Sequence, residues 1–96
     1  MSTIKIYYRK NLKLSPQKIA SSCSHVANQL GYMLAQLGEY NDPQDCTIVV
    51  LMASDKKFNE IKKEIQSYED VLSHLHVDKG LTEVSPDTEI CFGWVE

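Results

Sequence analysis

The chain has 96 residues, 43% of them apolar, and a formal net charge of −3. That composition supports one folded domain spanning 1–96 with a modest core, and argues against intrinsic disorder. No apolar run approaches the ~20 residues that a membrane-spanning helix needs, and the N-terminus does not read as a signal peptide.

The cysteines Cys23, Cys46 and Cys91 are scattered, odd in number and without a C-x-x-C pair. This points to reduced thiols in a cytoplasmic protein, not to a disulfide framework or a zinc site. Charge is uneven along the chain. Residues 1–38 hold Lys5, Arg9, Lys10, Lys13 and Lys18 and no acid, while the remainder holds all 13 acids against five lysines. A mildly acidic protein can therefore present a basic face suited to phosphate or nucleic acid.

In chain order, Thr3–Arg9 alternates as a strand, with Ile4, Ile6 and Tyr8 on one face. After a connector, a helix is predicted from Pro16 to about Leu37. Ser15 is its N-cap and Pro16 its first residue. Ile19, Cys23, Val26, Ala27, Leu30, Leu34 and Leu37 form its apolar stripe, and Lys18, Ser22, His25 and Gln29 a separate polar one. Gly38 ends it. Cys46–Ala53 is a near-continuous apolar run, the pattern of a strand covered on both faces. Ser54 caps a second helix, with Phe58, Ile61, Ile65 and Tyr68 on its buried side. Val71–Asp78 reads as a third strand, with Val71, Leu75 and Val77 on one face. Glu89–Val95 reads as a fourth, with Ile90, Phe92 and Trp94 together.

The order β-α-β-α-β-β predicts an α/β fold: a four-stranded mixed sheet with helices packed on it, mainly parallel, its last strand antiparallel to a neighbour. Ligands of open α/β sheets gather beyond the carboxyl ends of the parallel strands. Those ends carry Arg9–Leu14, Ala53-Ser54 and Asp78, and the first helix also begins there. Lys18 and Asp78 are thus expected to face one crevice. A lysine in the first helical turn sits against the positive end of the helix dipole, which marks a place that collects anions.

Two segments carry a resemblance. The first has Arg9, Leu12, Lys13, Lys18, Ala20, Cys23, Ser24 and His25, and the second Asp78, Gly80, Thr82, Pro86 and Gly93. At these spacings the chain resembles the type 2 peptidyl-tRNA hydrolases over nearly its whole length. It departs from their pattern at Asn11, Pro16, Gln17, Leu81, Glu83 and Ile90, and the loop after the first helix is shorter.

The resemblance implies hydrolysis of the ester between a peptide and the terminal ribose of tRNA, without a cofactor. Asp78 would orient or deprotonate water or position Lys18, Lys18 would stabilise the oxyanion or a phosphate, and Thr82 would orient water or a substrate oxygen. Arg9, Lys13, Ser22 and His25 would contact the acceptor end of the peptidyl-tRNA, and the family suggests a homodimer. The alternative is a binding module of the same fold with weakened catalysis, resting on Leu81, Glu83 and Ile90, whose partner is tRNA, a nucleotide or another protein. A metal at His74, His76 and Asp78 is a third reading of the H-x-H-x-D pattern.

Overall fold

The computed structural model describes residues 2–39, 42–79, 84 and 87–96, with Pro43 in its backbone only. The elements are β1 (Ser2–Arg9), α1 (Pro16–Gln36), β2 (Cys46–Ala53), α2 (Asp55–Gln66), β3 (Ser73–Asp78) and β4 (Thr88–Val95). The sheet order is β2-β1-β4-β3. β1 and β2 are parallel, and β4 runs antiparallel to both β1 and β3. The four-stranded mixed sheet is as expected, but the pairing is not mainly parallel. β4 inserts between β1 and β3, so these two parallel strands never touch.

Both helices start as the capping residues dictate. Ser15 Oγ accepts from the Lys18 N–H at 3.1 Å, with Pro16 at the first helical position. Ser54 Oγ accepts from the Lys57 N–H at 3.2 Å. α1 ends at Gly38, whose φ of 74° suits glycine. There Gly38 N–H donates to the Ala35 carbonyl and Glu39 N–H to that of Leu34, which satisfies carbonyls that the helix leaves open. Leu37 falls at the cap and is exposed, not part of the buried stripe.

The helices cover opposite faces. α1 buries Cys23, Val26, Leu30 and Leu34 against Ile4 and Ile6 of β1 and Ile90 and Cys91 of β4. α2 buries Phe58 against Ala53, Phe92 and Trp94, with Tyr7, Ile61, Ile65, Val71 and Leu75 around them. Tyr68 lies beyond α2 and is exposed.

The shared face expected for Ile90, Phe92 and Trp94 is broken by a β-bulge. His76 pairs with Cys91 and Val77 with Glu89, which leaves Ile90 as the extra residue. The bulge reverses the alternation, sending Ile90 to the α1 side and Phe92 and Trp94 to the α2 side. β3 is disturbed in step: Val77 is exposed and Asp78 is buried.

Gly93 lets α1 approach β4 closely. A methyl group there would sit 2.5 Å from Val26 Cγ1 and 3.1 Å from both Ile6 Cγ1 and the Lys5 carbonyl oxygen.

β2 departs most from expectation. Its run Cys46–Ala53 was predicted to be covered on both faces, yet it forms a sheet edge and is largely exposed, with Ile48, Val50, Leu51 and Met52 among the open side chains.

Candidate active site

β1, β2 and β3 run in the same direction, so Arg9, Ala53 and Asp78 end at one rim of the sheet, where α1 begins. There the Lys18 ammonium pairs with the Asp78 carboxylate. Both side chains are withdrawn from solvent, Lys18 to 14% exposure and Asp78 to 6%. A buried ion pair loses hydration on both members and is held only by its mutual attraction and further hydrogen bonds. The Asp78 carbonyl, meanwhile, accepts from the Asp87 N–H at 2.7 Å, which ties the end of β3 to the start of β4.

The pair opens onto a crevice of about 330 Å³ lined by Lys18, Ser21, His25, His76, Val77, Asp78 and Lys79. Its wall carries two imidazoles, His25 from α1 and His76 from β3. Their rings are stacked with centroids 5.1 Å apart and planes 9° from parallel. Burial holds His76 below the usual histidine range, and His25, Lys18 and His74 push it the same way while Asp78 opposes them. Burial also lowers His74.

The structure therefore brings together Lys18, His25 and Asp78 from the sequence-derived set. Ser22 is not at the crevice. It is 1% exposed, and its Oγ has no hydrogen-bond partner among the described residues. Helical phase explains this: 18, 21 and 25 share a face, and position 22 turns toward the core. Sequence reading missed Ser21 by that one step, while His76 and Lys79 were visible beside Asp78 but unassigned to the crevice. Lys13 is exposed in the loop before α1, where it adopts the left-handed conformation. Thr82 lies outside the described residues, as do Gly80, Leu81, Glu83 and Pro86.

Arg9 is engaged elsewhere. Its Nε and Nη2 donate to the two Asp55 carboxylate oxygens at 2.9 and 3.1 Å, and Nη1 donates to the Glu89 carbonyl at 2.9 Å. The fork-on-carboxylate geometry raises the Arg9 pKa and lowers that of Asp55. Asn11 Oδ1 accepts from the Asp55 N–H at 3.1 Å. Together these bonds staple the end of β1 to the start of α2 at the rim where the crevice lies.

The cysteines supply no nucleophile to the crevice. Cys23 and Cys91 are buried free thiols in the α1 core, and the Cys91 thiol is pushed up by its hydrogen bond to Cys23 and by burial. Among the described residues no group of three His, Cys, Asp or Glu side chains is placed to hold a metal ion. Nor is any helix among them long and apolar enough to cross a membrane.

The family profile of peptidyl-tRNA hydrolase PTH2 matches residues 3–95. The chain belongs to the peptidyl-tRNA hydrolase PTH2 family. The match runs from the second residue of β1 to the end of β4, and so includes Lys18, Asp78 and the crevice between them. No curated protein matches the chain. Membership in the PTH2 family supports a peptidyl-tRNA hydrolase-like function and peptidyl-tRNA as the class of substrate.

Proposed function

We propose that the chain hydrolyses the ester between a peptide and the terminal ribose of tRNA, with Lys18 and Asp78 as its reacting pair. The observation that carries this is the withdrawn Lys18–Asp78 ion pair at the mouth of the α1–β3 crevice. Water attacks the ester carbonyl carbon and gives a proton to Asp78. The negative charge that develops on the carbonyl oxygen is met by the Lys18 ammonium, which is already at the site and needs little reorganisation. The tetrahedral intermediate then collapses. The bond from carbon to the ribose oxygen breaks, and that oxygen takes the proton back from Asp78. The peptide, freed as its carboxylic acid, gives the remaining proton to solvent, and peptide carboxylate and free tRNA leave.

His25 and His76 present a stacked planar wall, and Lys79 adds a cation beside the pair. These residues are suited to hold the acceptor end of the tRNA. Thr82 keeps its assignment as a water- or substrate-orienting group, and Lys13 its assignment to the acceptor end.

A second reading, a binder with weakened catalysis, draws on the engaged cations. Lys5 pairs with Glu96, Arg9 with Asp55 and Lys62 with Glu89, so these charges are partly spent within the fold. Release of peptide from a defined peptidyl-tRNA separates the two readings. Turnover by the wild type that collapses in Lys18→Ala and in Asp78→Asn supports the hydrolase. Absent turnover with salt-sensitive tRNA binding supports the binder.

A further inference from the structure

The α1 core holds two cysteines that ester hydrolysis leaves unused. Cys23 comes from α1 and Cys91 from β4, and both are free thiols buried in the same apolar cluster. Their side chains are hydrogen-bonded to each other.

The local packing draws the two together. Cys91 and Gly93 are two apart on β4 and share the face toward α1, while Cys23 and Val26 are three apart on α1 and share the face toward the sheet. Gly93 has no side chain, so Val26 seats against the β4 backbone and pulls in the helix one turn from Cys23. A disulfide needs its Cα atoms within about 7 Å of each other, and a close approach of helix and sheet is the arrangement that permits one.

The two thiols differ in access and in acidity. Cys91 is enclosed, at 0% exposure. Cys23 keeps 6% and forms part of the wall of an apolar trough of about 280 Å³ between α1 and β2, with Ile19, Ala20, Ala27, Ile48 and Val50. The hydrogen bond favours the Cys23 thiolate and holds it below the usual thiol range, against the opposing effect of burial. The same bond and burial push Cys91 up. The thiolate is the nucleophilic form of cysteine. One thiol is thus reachable and activated, and the other stands enclosed behind it, which is the order of a reacting and a resolving cysteine.

We propose that Cys23 and Cys91 form an oxidisable dithiol, in which Cys23 reacts with a small uncharged hydroperoxide and Cys91 resolves the product into a disulfide between α1 and β4. The Cys23 sulfur attacks a peroxide oxygen. An S–O bond forms, the O–O bond breaks, and the departing oxygen takes the thiol proton and leaves as an alcohol, or as water from hydrogen peroxide. Cys23, oxidised by two electrons, is left as a sulfenic acid. The Cys91 sulfur then attacks the Cys23 sulfur. The S–S bond forms, the S–O bond breaks, and the hydroxyl leaves as water with the Cys91 proton. One peroxide is reduced for each disulfide made. The apolar trough admits an uncharged peroxide and disfavours a charged oxidant, which would lose its hydration there.

Cys91 is the cross-strand partner of His76, whose ring stacks on that of His25. The disulfide therefore ties α1 to the sheet beside the imidazole wall of the crevice. Cys46 is an internal control. It pairs with Ser2, six residues along β1 from Tyr8, the partner of Cys91, which places it roughly 20 Å away along the strand. The inference rests on the α1 core and is independent of the hydrolase reading.

The test is exposure of the folded, reduced chain to hydrogen peroxide, followed by intact mass, free-thiol counting with an alkylating reagent after unfolding, and peptide mapping. The wild type is expected to lose two hydrogens and to go from three free thiols to one, with Cys46 the one that remains. Cys46→Ser is expected to form the same bond, and Cys23→Ser to keep Cys91 free. Cys91→Ser is expected to stop at the sulfenic acid of Cys23, which a 1,3-dione traps. Circular dichroism checks that each variant folds, and the wild-type map stands without them. Three free thiols retained in the wild type, at a peroxide dose that oxidises glutathione, overturn the proposal. So does a disulfide that includes Cys46 or joins two chains, or oxidation of Cys91 in folded Cys23→Ser.

Discussion

Lys18 and Asp78 are 60 positions apart in the chain and form an ion pair at the start of α1 and the end of β3. Each is withdrawn from water, so removing one partner strands the other. Lys18→Ala and Asp78→Asn are each expected to lower turnover on peptidyl-tRNA by about 10²–10⁴-fold, the usual weight of a positioned acid–base or oxyanion group. Breaking such a pair also destabilises the fold, by about 3–5 kcal/mol for a fully buried case and less here because Lys18 keeps some exposure. The double variant Lys18→Met/Asp78→Asn is expected to unfold at higher urea than Asp78→Asn alone. Turnover equal to wild type in both single variants would remove the pair from the chemistry.

Gly93 should tolerate no side chain. The added methyl of Gly93→Ala would lie 2.5 Å from Val26 Cγ1, with the Lys5 carbonyl behind it. Overpacking of this kind costs about 1–3 kcal/mol. Urea denaturation is expected to show that loss, and Val26→Ala in the same chain is expected to restore part of it by making room. An unchanged midpoint in Gly93→Ala would mean that α1 does not sit this close to β4.

The Arg9–Asp55 pair makes stability depend on acid pH. Asp55 is held below the usual carboxylate range by its hydrogen bonds from Arg9. A depressed carboxylate stabilises the fold above its unfolded value, near 3.9, and that contribution is lost as pH falls through the folded value. Asp55 is 41% exposed, so screening keeps the effect to about 1 kcal/mol or less. Arg9→Met is expected to flatten the stability profile in this window. Arg9→Lys should rescue little, since lysine cannot make the two-pronged contact.

His74 and His76 act in a different window. Both are lowered mainly by burial from the ordinary value of 6.5. Between the folded value and about 6.5 the unfolded chain binds more protons, so stability rises with pH there and is complete above it. Unfolding free energies from pH 5 to 8 are expected to show this slope. His74→Gln/His76→Gln should remove most of it.

Much of the local structure is determined by the sequence alone. Ser15-Pro16, Ser54 and Gly38 place helix ends because capping uses side chains within a few residues of the backbone groups they satisfy. The order of strands and helices follows from periodicity, and with it the meeting of Lys18 and Asp78, since parallel strands must end at one rim. Only the tertiary structure decided the rest. An apolar run reports that a strand has two apolar faces, not that a neighbour covers them, so β2 looked central and stands at an edge. The bulge at Ile90 flips the faces of Phe92 and Trp94, and no pattern within β4 announces a register set by β3. Ser22 and Ser21 differ by a single step of helical phase, which only packing against Ile4, Ile6 and Cys91 resolves. Arg9 carries a charge suited to phosphate, yet Asp55 arrives beside it from 46 residues away and takes it. Short-range preferences act through bonds between neighbours in the chain. Which faces are covered, and which charges are spent, depends on contacts that form only when distant segments are brought together.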